Sequence, residues 1–199
     1  MVIEHAGALD RRSVVARLLQ DRDGGMLVVS GLGSPSYDVY AAGDHEGNYY
    51  LWGAMGAASL VGLGLAQAQV DRTVVVVTGD GEQLMGLGGL ATVAIAAPPN
   101  LVIVVLDNGH YGETGMQRSH TGFGLDIASV ARAVGFADVR TIVDQAQVEE
   151  MAFSIREAAS GPRFYAVKIR ADILPRSLPP RDAVYGKNRL RMHLGFEVT

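Results

Sequence analysis

Four apolar, β-branched runs are spaced along the chain at residues 26–30 (MLVVS), 73–78 (TVVVVT), 101–106 (LVIVVL) and 164–169 (FYAVKI). Three of them are almost continuously hydrophobic, which marks strands buried on both faces. Between them, helical patterns cover 11–20, 54–69, 83–97, 126–134 and 145–160. The last is punctuated at both ends: Asp144 can cap it, Gln147 sits three residues on as a capping-box partner, and Gly161 ends it. Strands alternating with helices predict an α/β fold, a doubly wound, mostly parallel sheet with helices on both faces. Such sheets bind ligands at the carboxyl ends of their strands. The pattern stops near residue 174. Pro175, Pro179 and Pro180 are followed by a basic segment from Arg181 to Arg191, so the expectation is one domain over 1–173 and an extended C-terminal arm over 174–199.

Composition narrows the chemistry. Of 199 residues, 48% are hydrophobic, enough for a sizeable core. The net charge of −4 comes with no basic stripe, so nucleic acid is a poor partner. Cysteine is absent, which excludes disulfides, thiolate zinc sites, iron–sulfur clusters and cysteine nucleophiles together. Glu4 and Asp10 precede any apolar run, so the N-terminus does not read as a signal peptide. The apolar stretches are broken by glycine and too short to span a bilayer. A cytoplasmic protein with no membrane partner is the expectation.

The chemistry concentrates after two successive strands. Residues 73–78 run into Gly79-Asp80-Gly81-Glu82, with a helix beginning just after. Glycines let a ligand approach the backbone, and the helix start turns free N–H groups toward it. The next strand ends in Asp107-Asn108-Gly109-His110. One helix plus one strand separates Asp80 from Asn108, so both fall at the same sheet edge. A carboxylate, an amide oxygen and a backbone carbonyl together make a hard oxygen site, suited to a magnesium ion that carries a diphosphate. Singly, Asp80 is as well read as a helix cap and Asn108 as a turn residue. The pair is far more specific. Upstream, Trp52-Gly53-Ala54-Met55-Gly56 precedes a Gly- and Ala-rich helix; on its own Met55 is also a good core residue.

These segments resemble the thiamine-diphosphate enzymes in their diphosphate-binding domain, most nearly the decarboxylases of sulfopyruvate and phosphonopyruvate type. The likeness runs through Gly33-Ser34-Pro35-Ser36, Tyr49-Tyr50-Leu51-Trp52-Gly53-Ala54-Met55-Gly56, Gly79-Asp80-Gly81-Glu82, Leu106-Asp107-Asn108-Gly109, Tyr111-Gly112-Glu113-Thr114-Gly115 and Leu178-Pro179-Pro180-Arg181-Asp182. It implies that Asp80 and Asn108 bind Mg2+ by side chain and His110 by its carbonyl. Gly79, Gly81, Glu82 and Tyr111 would lie against the cofactor. The Gly53 carbonyl would accept a hydrogen bond from the aminopyrimidine, and Met55 would hold the cofactor bent. The implied reaction is decarboxylation of a small anionic 2-oxo acid, in which thiamine diphosphate supplies the electron sink. The activating Glu of such enzymes belongs to a pyrimidine-binding domain, so the resemblance implies an α subunit that carries it and a hetero-oligomer.

The resemblance has a departure. Two-subunit members often read Gly-Asn-Gln-Pro-Thr where this chain has Gly115-Met116-Gln117-Arg118-Ser119. Arg118 replaces a proline in a loop expected to face substrate, which leaves the substrate open. Arg118 and His120 are the candidates to meet substrate or product, against the alternative of solvated loop residues. His45 and Glu46 either border the substrate entrance or are simple loop polarity. Two other functions fit less: an acetolactate-synthase-like carboligase subunit, which shares the first chemical steps, and a non-catalytic flavodoxin-like nucleotide module, which needs neither Asn108 nor the Gly53–Met55 segment.

Overall fold

The computed structural model describes residues 9–198. In chain order the first half forms α1 (Arg11–Leu19), β1 (Met26–Ser30), α2 (Ser34–Ala41), β2 (Asn48–Tyr50), α3 (Ala58–Ala68) and β3 (Thr73–Gly79). Then come α4 (Asp80–Met85), α5 (Gly89–Ala96), β4 (Leu101–Asp107) and the short pair β5 (His110–Tyr111) and β6 (Gln117–Arg118). The chain continues through α6 (Ile127–Val134), β7 (Asp138–Ile142), α7 (Gln145–Ser154), β8 (Arg163–Lys168) and α8 (Ala183–His193). Six strands make one parallel sheet in the order β2-β1-β3-β4-β8-β7, as the alternating pattern predicts.

The continuous apolar runs exist because the sheet is covered twice. Successive side chains of a strand point to opposite faces. Val75, Val77, Val102 and Val104 meet Val14, Leu18, Val148 and Met151 of α1 and α7 on one face. Val74, Val76, Ile103 and Val105 meet Leu63, Leu90, Val93 and Ile127 of α3, α5 and α6 on the other. From β1 the chain crosses first to β2 and then back to β3. The reversal leaves a crevice at the carboxyl ends of β1 and β3, the place where doubly wound sheets hold ligands.

Several boundaries depart from the sequence pattern. The helix expected over 54–69 starts only at Ala58, because Gly53, Ala54 and Gly56 all have positive φ and turn the chain first. The helix expected over 83–97 is two, α4 and α5, broken between Gly86 and Gly88. A Cβ at Gly86 would lie 1.9 Å from the Gly56 carbonyl oxygen, so α4 ends where it meets that turn. α7 is capped by Asp144 as expected but stops at Ser154, and Gly161 does not end it. Gln147 Oε1 accepts from Val143 N at 2.7 Å, one residue before the capping-box target. β2 and β7 escape the pattern because they are edge strands with polar positions.

The arm is only partly extended. Beyond β8 the chain runs without regular structure until Asp182, which caps α8 by accepting from Val184 N and Tyr185 N. The basic segment is helical because it has a surface to cover: Arg189 Nη1 bonds Asp44 Oδ2 at 2.6 Å and Nη2 bonds the Asn48 carbonyl at 3.2 Å. α8 thereby shields the β2 edge. Among the described residues, no helix is long and apolar enough to cross a membrane.

His45 and Glu46 belong to this junction and line neither of the cavities at the strand ends. His45 Nδ1 accepts from Gly47 N at 2.9 Å and meets Arg22 Nη2 at 2.5 Å, while its ring stands edge-on to His193. Burial first, then Arg22 and His193, hold its pKa below the ordinary 6.5, against Glu46 and Asp44.

Two predictions follow from this packing. Gly62 and Gly64 lie in the same helix, but a Cβ at 62 would meet Val76 Cγ2 at 2.2 Å, whereas one at 64 meets nothing. Gly64→Ala should stabilise by about 0.5–1 kcal/mol and Gly62→Ala destabilise by about 1–3 kcal/mol in urea unfolding. The second concerns pH. Below 6.5 the unfolded chain takes a proton on His45 that the folded chain refuses. Stability therefore falls as pH drops from about 7.5 to about 5.5, and His45→Gln flattens that slope.

Candidate functional site

A cavity of about 170 Å³ opens at the carboxyl ends of β1, β3 and β4. Asp80, Gly81 and Glu82 enter it from the first turn of α4, and Asn108, His110 and Tyr111 from the turn after β4. Gly79 and Met55 line it too. The two motifs thus converge because β3 and β4 are adjacent and in register, with Gly79 opposite Leu106.

Asp80 is only 2% exposed. Its Oδ2 accepts from Ser119 Oγ and, at 2.8 Å, from Thr121 Oγ1. Burial pushes its pKa up, and the nearby Asp107 adds to the rise, while the hydroxyl bonds oppose it. Asp107 has its own cation, Lys168, but among the described residues no lysine or arginine pairs with Asp80. A buried carboxylate with hydroxyl partners only is a place for a positive ion, helped little by the short α4. Asn108 supplies an amide oxygen at the same cavity; that oxygen accepts from His110 N at 2.9 Å, and His110 Nδ1 meets the Asn108 carbonyl at 2.8 Å. Asp80, Asn108 and His110 line one cavity, and a carboxylate, an amide oxygen and a backbone carbonyl are the donor types that Mg2+ takes. No group of three acidic, His or Cys side chains that could hold a metal occurs among the described residues.

The glycines play unequal parts. Gly79 has an ordinary extended conformation, and a Cβ there would meet only Pro35 at 3.9 Å. Its bareness leaves cavity space and is not needed for the turn. A Cβ at Gly81 would strike the Tyr111 ring at 2.5 Å, so this glycine is what lets Tyr111 close against α4.

Glu82 turns inward. Its Oε2 accepts from Thr78 Oγ1 at 2.9 Å and from Leu32 N at 3.0 Å. The amides of Gly56 and Ala58 lie near enough to lower its pKa against the upward push of burial, although Oε1 makes no bond of good geometry. This one side chain ties together the turn after β1, the end of β3 and the turn before α3. Nothing in the sequence signalled that role.

Other expected residues lie elsewhere. Gly53 does not line the cavity, though its φ of 121° shapes the turn that presents Met55. Arg118 lines a second, larger cleft of about 560 Å³ that shares Asn108 and His110 with the first and adds Lys168. Its guanidinium stands 5.3 Å over the Phe123 ring. His120 is exposed and lines neither. Residues that the sequence reading missed include Ser119 and Thr121, brought to Asp80 by the loop after β6, and Ser34 at the start of α2. Ser119 ends the segment Gly115-Met116-Gln117-Arg118-Ser119 and Thr121 follows it, but only the chain path brings their hydroxyls to Asp80.

The family model described as the thiamine pyrophosphate enzyme C-terminal TPP binding domain matches residues 36–169. The chain belongs to the thiamine pyrophosphate enzymes, as this cofactor-binding domain. Within them it is similar to decarboxylases. It is 38% identical over 170 residues to sulfopyruvate decarboxylase subunit beta of Methanothermobacter thermautotrophicus, covering 85% of this chain and 84% of that one. It is 40% identical over 160 residues to phosphonopyruvate decarboxylase of Streptomyces viridochromogenes, covering 80% of this chain and 40% of that one. The solved 4-hydroxybenzoylformate decarboxylase of Rhodococcus jostii superposes with a TM-score of 0.70 at 23% identity, over 83% of this chain and 33% of that one, and shares the fold. Family membership sets aside the flavodoxin-like nucleotide module.

The Glu82 link makes a prediction. A Cβ at Gly31 would fall 1.7 Å from Glu82 Oε2. Gly31→Ala should cost about 1–3 kcal/mol. Because the clash needs the Glu82 carboxylate, the cost of the double variant with Glu82→Ala should be less than the sum of the two single costs, read from a urea double-mutant cycle.

Proposed function

We propose that the chain is the β subunit of a thiamine-diphosphate-dependent 2-oxo acid decarboxylase of the sulfopyruvate or phosphonopyruvate type. It holds Mg2+ through Asp80, Asn108 and the His110 carbonyl, and works in the cytoplasm with an α subunit that brings the pyrimidine-binding domain and its Glu. The observation that carries this reading is the buried, cation-less Asp80 beside Asn108 in one cavity at a helix start. Support for a separate partner comes from relatives that are themselves named as one subunit, sulfopyruvate decarboxylase subunit beta, at 37–38% identity.

The cofactor, when bound, accepts the electron pair released as carbon dioxide leaves a 2-oxo acid. The chain's own residues prepare for that in three ways. Asp80 and Asn108 hold the ion that offsets the diphosphate charge. The amides of Gly81 and Glu82 in the first turn of α4 would donate to the cofactor's phosphate oxygens. Met55 supplies an apolar wall, and the Gly53 carbonyl, outside the cavity lining, would meet the aminopyrimidine only where the α subunit completes the site. Arg118 supports an anionic substrate through its cleft with Lys168 and His110. His120 meets substrate only if the α subunit builds the rest of the cleft around it.

Calorimetry with thiamine diphosphate and Mg2+ tests the reading. The chain alone should bind weakly and release no carbon dioxide, and the complex with its α subunit should do both well. Asp80→Ala with undiminished cofactor affinity in the complex would overturn the metal assignment. A thermal melt separates charge from fold. Asp80→Asn removes a buried charge without a cationic partner, so the metal-free chain should lose little or no stability, within about 1 kcal/mol. The rise in Tm on adding Mg2+ and thiamine diphosphate should vanish with it.

A further inference from the structure

The cofactor cavity reaches one more cation, and neither motif contains it. Arg11, the first residue of α1, is 6% exposed, yet it lines the cavity together with Ser34 and Pro35 of α2. Its Nη1 donates to Asp38 Oδ2 at 2.9 Å, while its Nε is buried with no partner. Asp38 is also shared with Arg12, whose Nε lies 3.3 Å from Oδ1. Two guanidiniums thus share one carboxylate, and of the two only Arg11 reaches the cavity.

A salt bridge that merely clamps α1 to α2 accounts for the Asp38 contact. It does not account for the guanidinium's place in the lining of the cavity, where a group with five N–H donors meets one accepting carboxylate oxygen among the described residues. The balance of charge around the cavity says what the other donors would meet. Asp107 is neutralised by Lys168, and Glu113 by Arg176 at 2.9 Å, while Glu82, also in the lining, has no cation among the described residues; Thr78 and the Leu32 amide donate to it and burial raises its pKa toward the neutral form. Asp80 is left for the metal. A diphosphate ester brings more negative charge than one divalent ion can offset once that ion also neutralises Asp80. The remainder needs a fixed cation, and arginine's planar fork suits phosphate oxygens. The start of α2, an eight-residue helix, opens on the same space at Ser34.

We propose that Arg11 is a phosphate-binding residue: with the first turn of α2 it forms a second, metal-independent anchor for the cofactor diphosphate. Asp38 is its positioning residue, holding the guanidinium from behind. The proposal rests on the cofactor reading above, and the test separates the two.

Calorimetry on the full chain with its α subunit, in Mg2+, compares thiamine diphosphate with unphosphorylated thiamine as probes. Arg11→Met should weaken thiamine diphosphate roughly tenfold to a hundredfold, the loss of one charge-assisted hydrogen bond, and leave thiamine unchanged. Arg11→Lys should fall between. If Arg11→Met alone fails to fold, Arg11→Met with Asp38→Leu removes both buried partners at once, which is far milder for stability. A folded variant of either kind that binds thiamine diphosphate as the parent does overturns the role of Arg11 while leaving the cofactor reading intact. Equal weakening of both probes also overturns it. A parent complex with no affinity for thiamine diphosphate and Mg2+ overturns the reading beneath it as well.

Discussion

Asp80 sits where water scarcely reaches it, between two hydroxyls and the field of a second buried carboxylate. Such a charge is costly in a folded chain unless a cation shares the space. Most of the site can be understood as an arrangement around that cost. β3 delivers the carboxylate to the sheet's edge, β4 delivers Asn108 beside it, and the loop after β6 brings Ser119 and Thr121 as donors. Lys168 neutralises Asp107, so the nearest competing negative charge is already answered.

Holding these groups requires three turns to keep their places, and the side chain of Glu82 does much of that. It reaches from α4 to the turn after β1 and to the turn before α3. Bare glycines make the approach possible at Gly31, and at Gly56 against Gly86. The result is a cavity whose walls come from segments distant in sequence but fixed to one another. The same arrangement places Met55 at the cavity with more than a third of its surface open. An apolar side chain so placed suits a bulky ring seated above the diphosphate.

Charge is distributed unevenly around the cavity. One side holds Asp80 and its oxygen neighbours, and another holds Arg11, which shares Asp38 with Arg12. The second cleft, with Lys168 and Arg118, adds positive groups where an anionic substrate would approach.

How much of this was legible beforehand differs by element. Buried central strands announce themselves, because positions covered on both faces must be apolar: the runs at 73–78 and 101–106 became β3 and β4. That Asp80 and Asn108 share one cavity was legible for a related reason, since the ends of adjacent strands in such a sheet lie side by side. Edge strands β2 and β7, helix α2 and the helical part of the tail were not, because one-sided burial leaves a mixed pattern and α8 depends on Asp44 and Asn48 to hold Arg189. The roles of Glu82, Ser119, Thr121 and Arg11 belong to the tertiary structure alone. Local sequence determines which backbone a segment prefers and which faces must be buried. Which side chains meet across a cavity depends on the path of the chain between them, and no short-range pattern records that path.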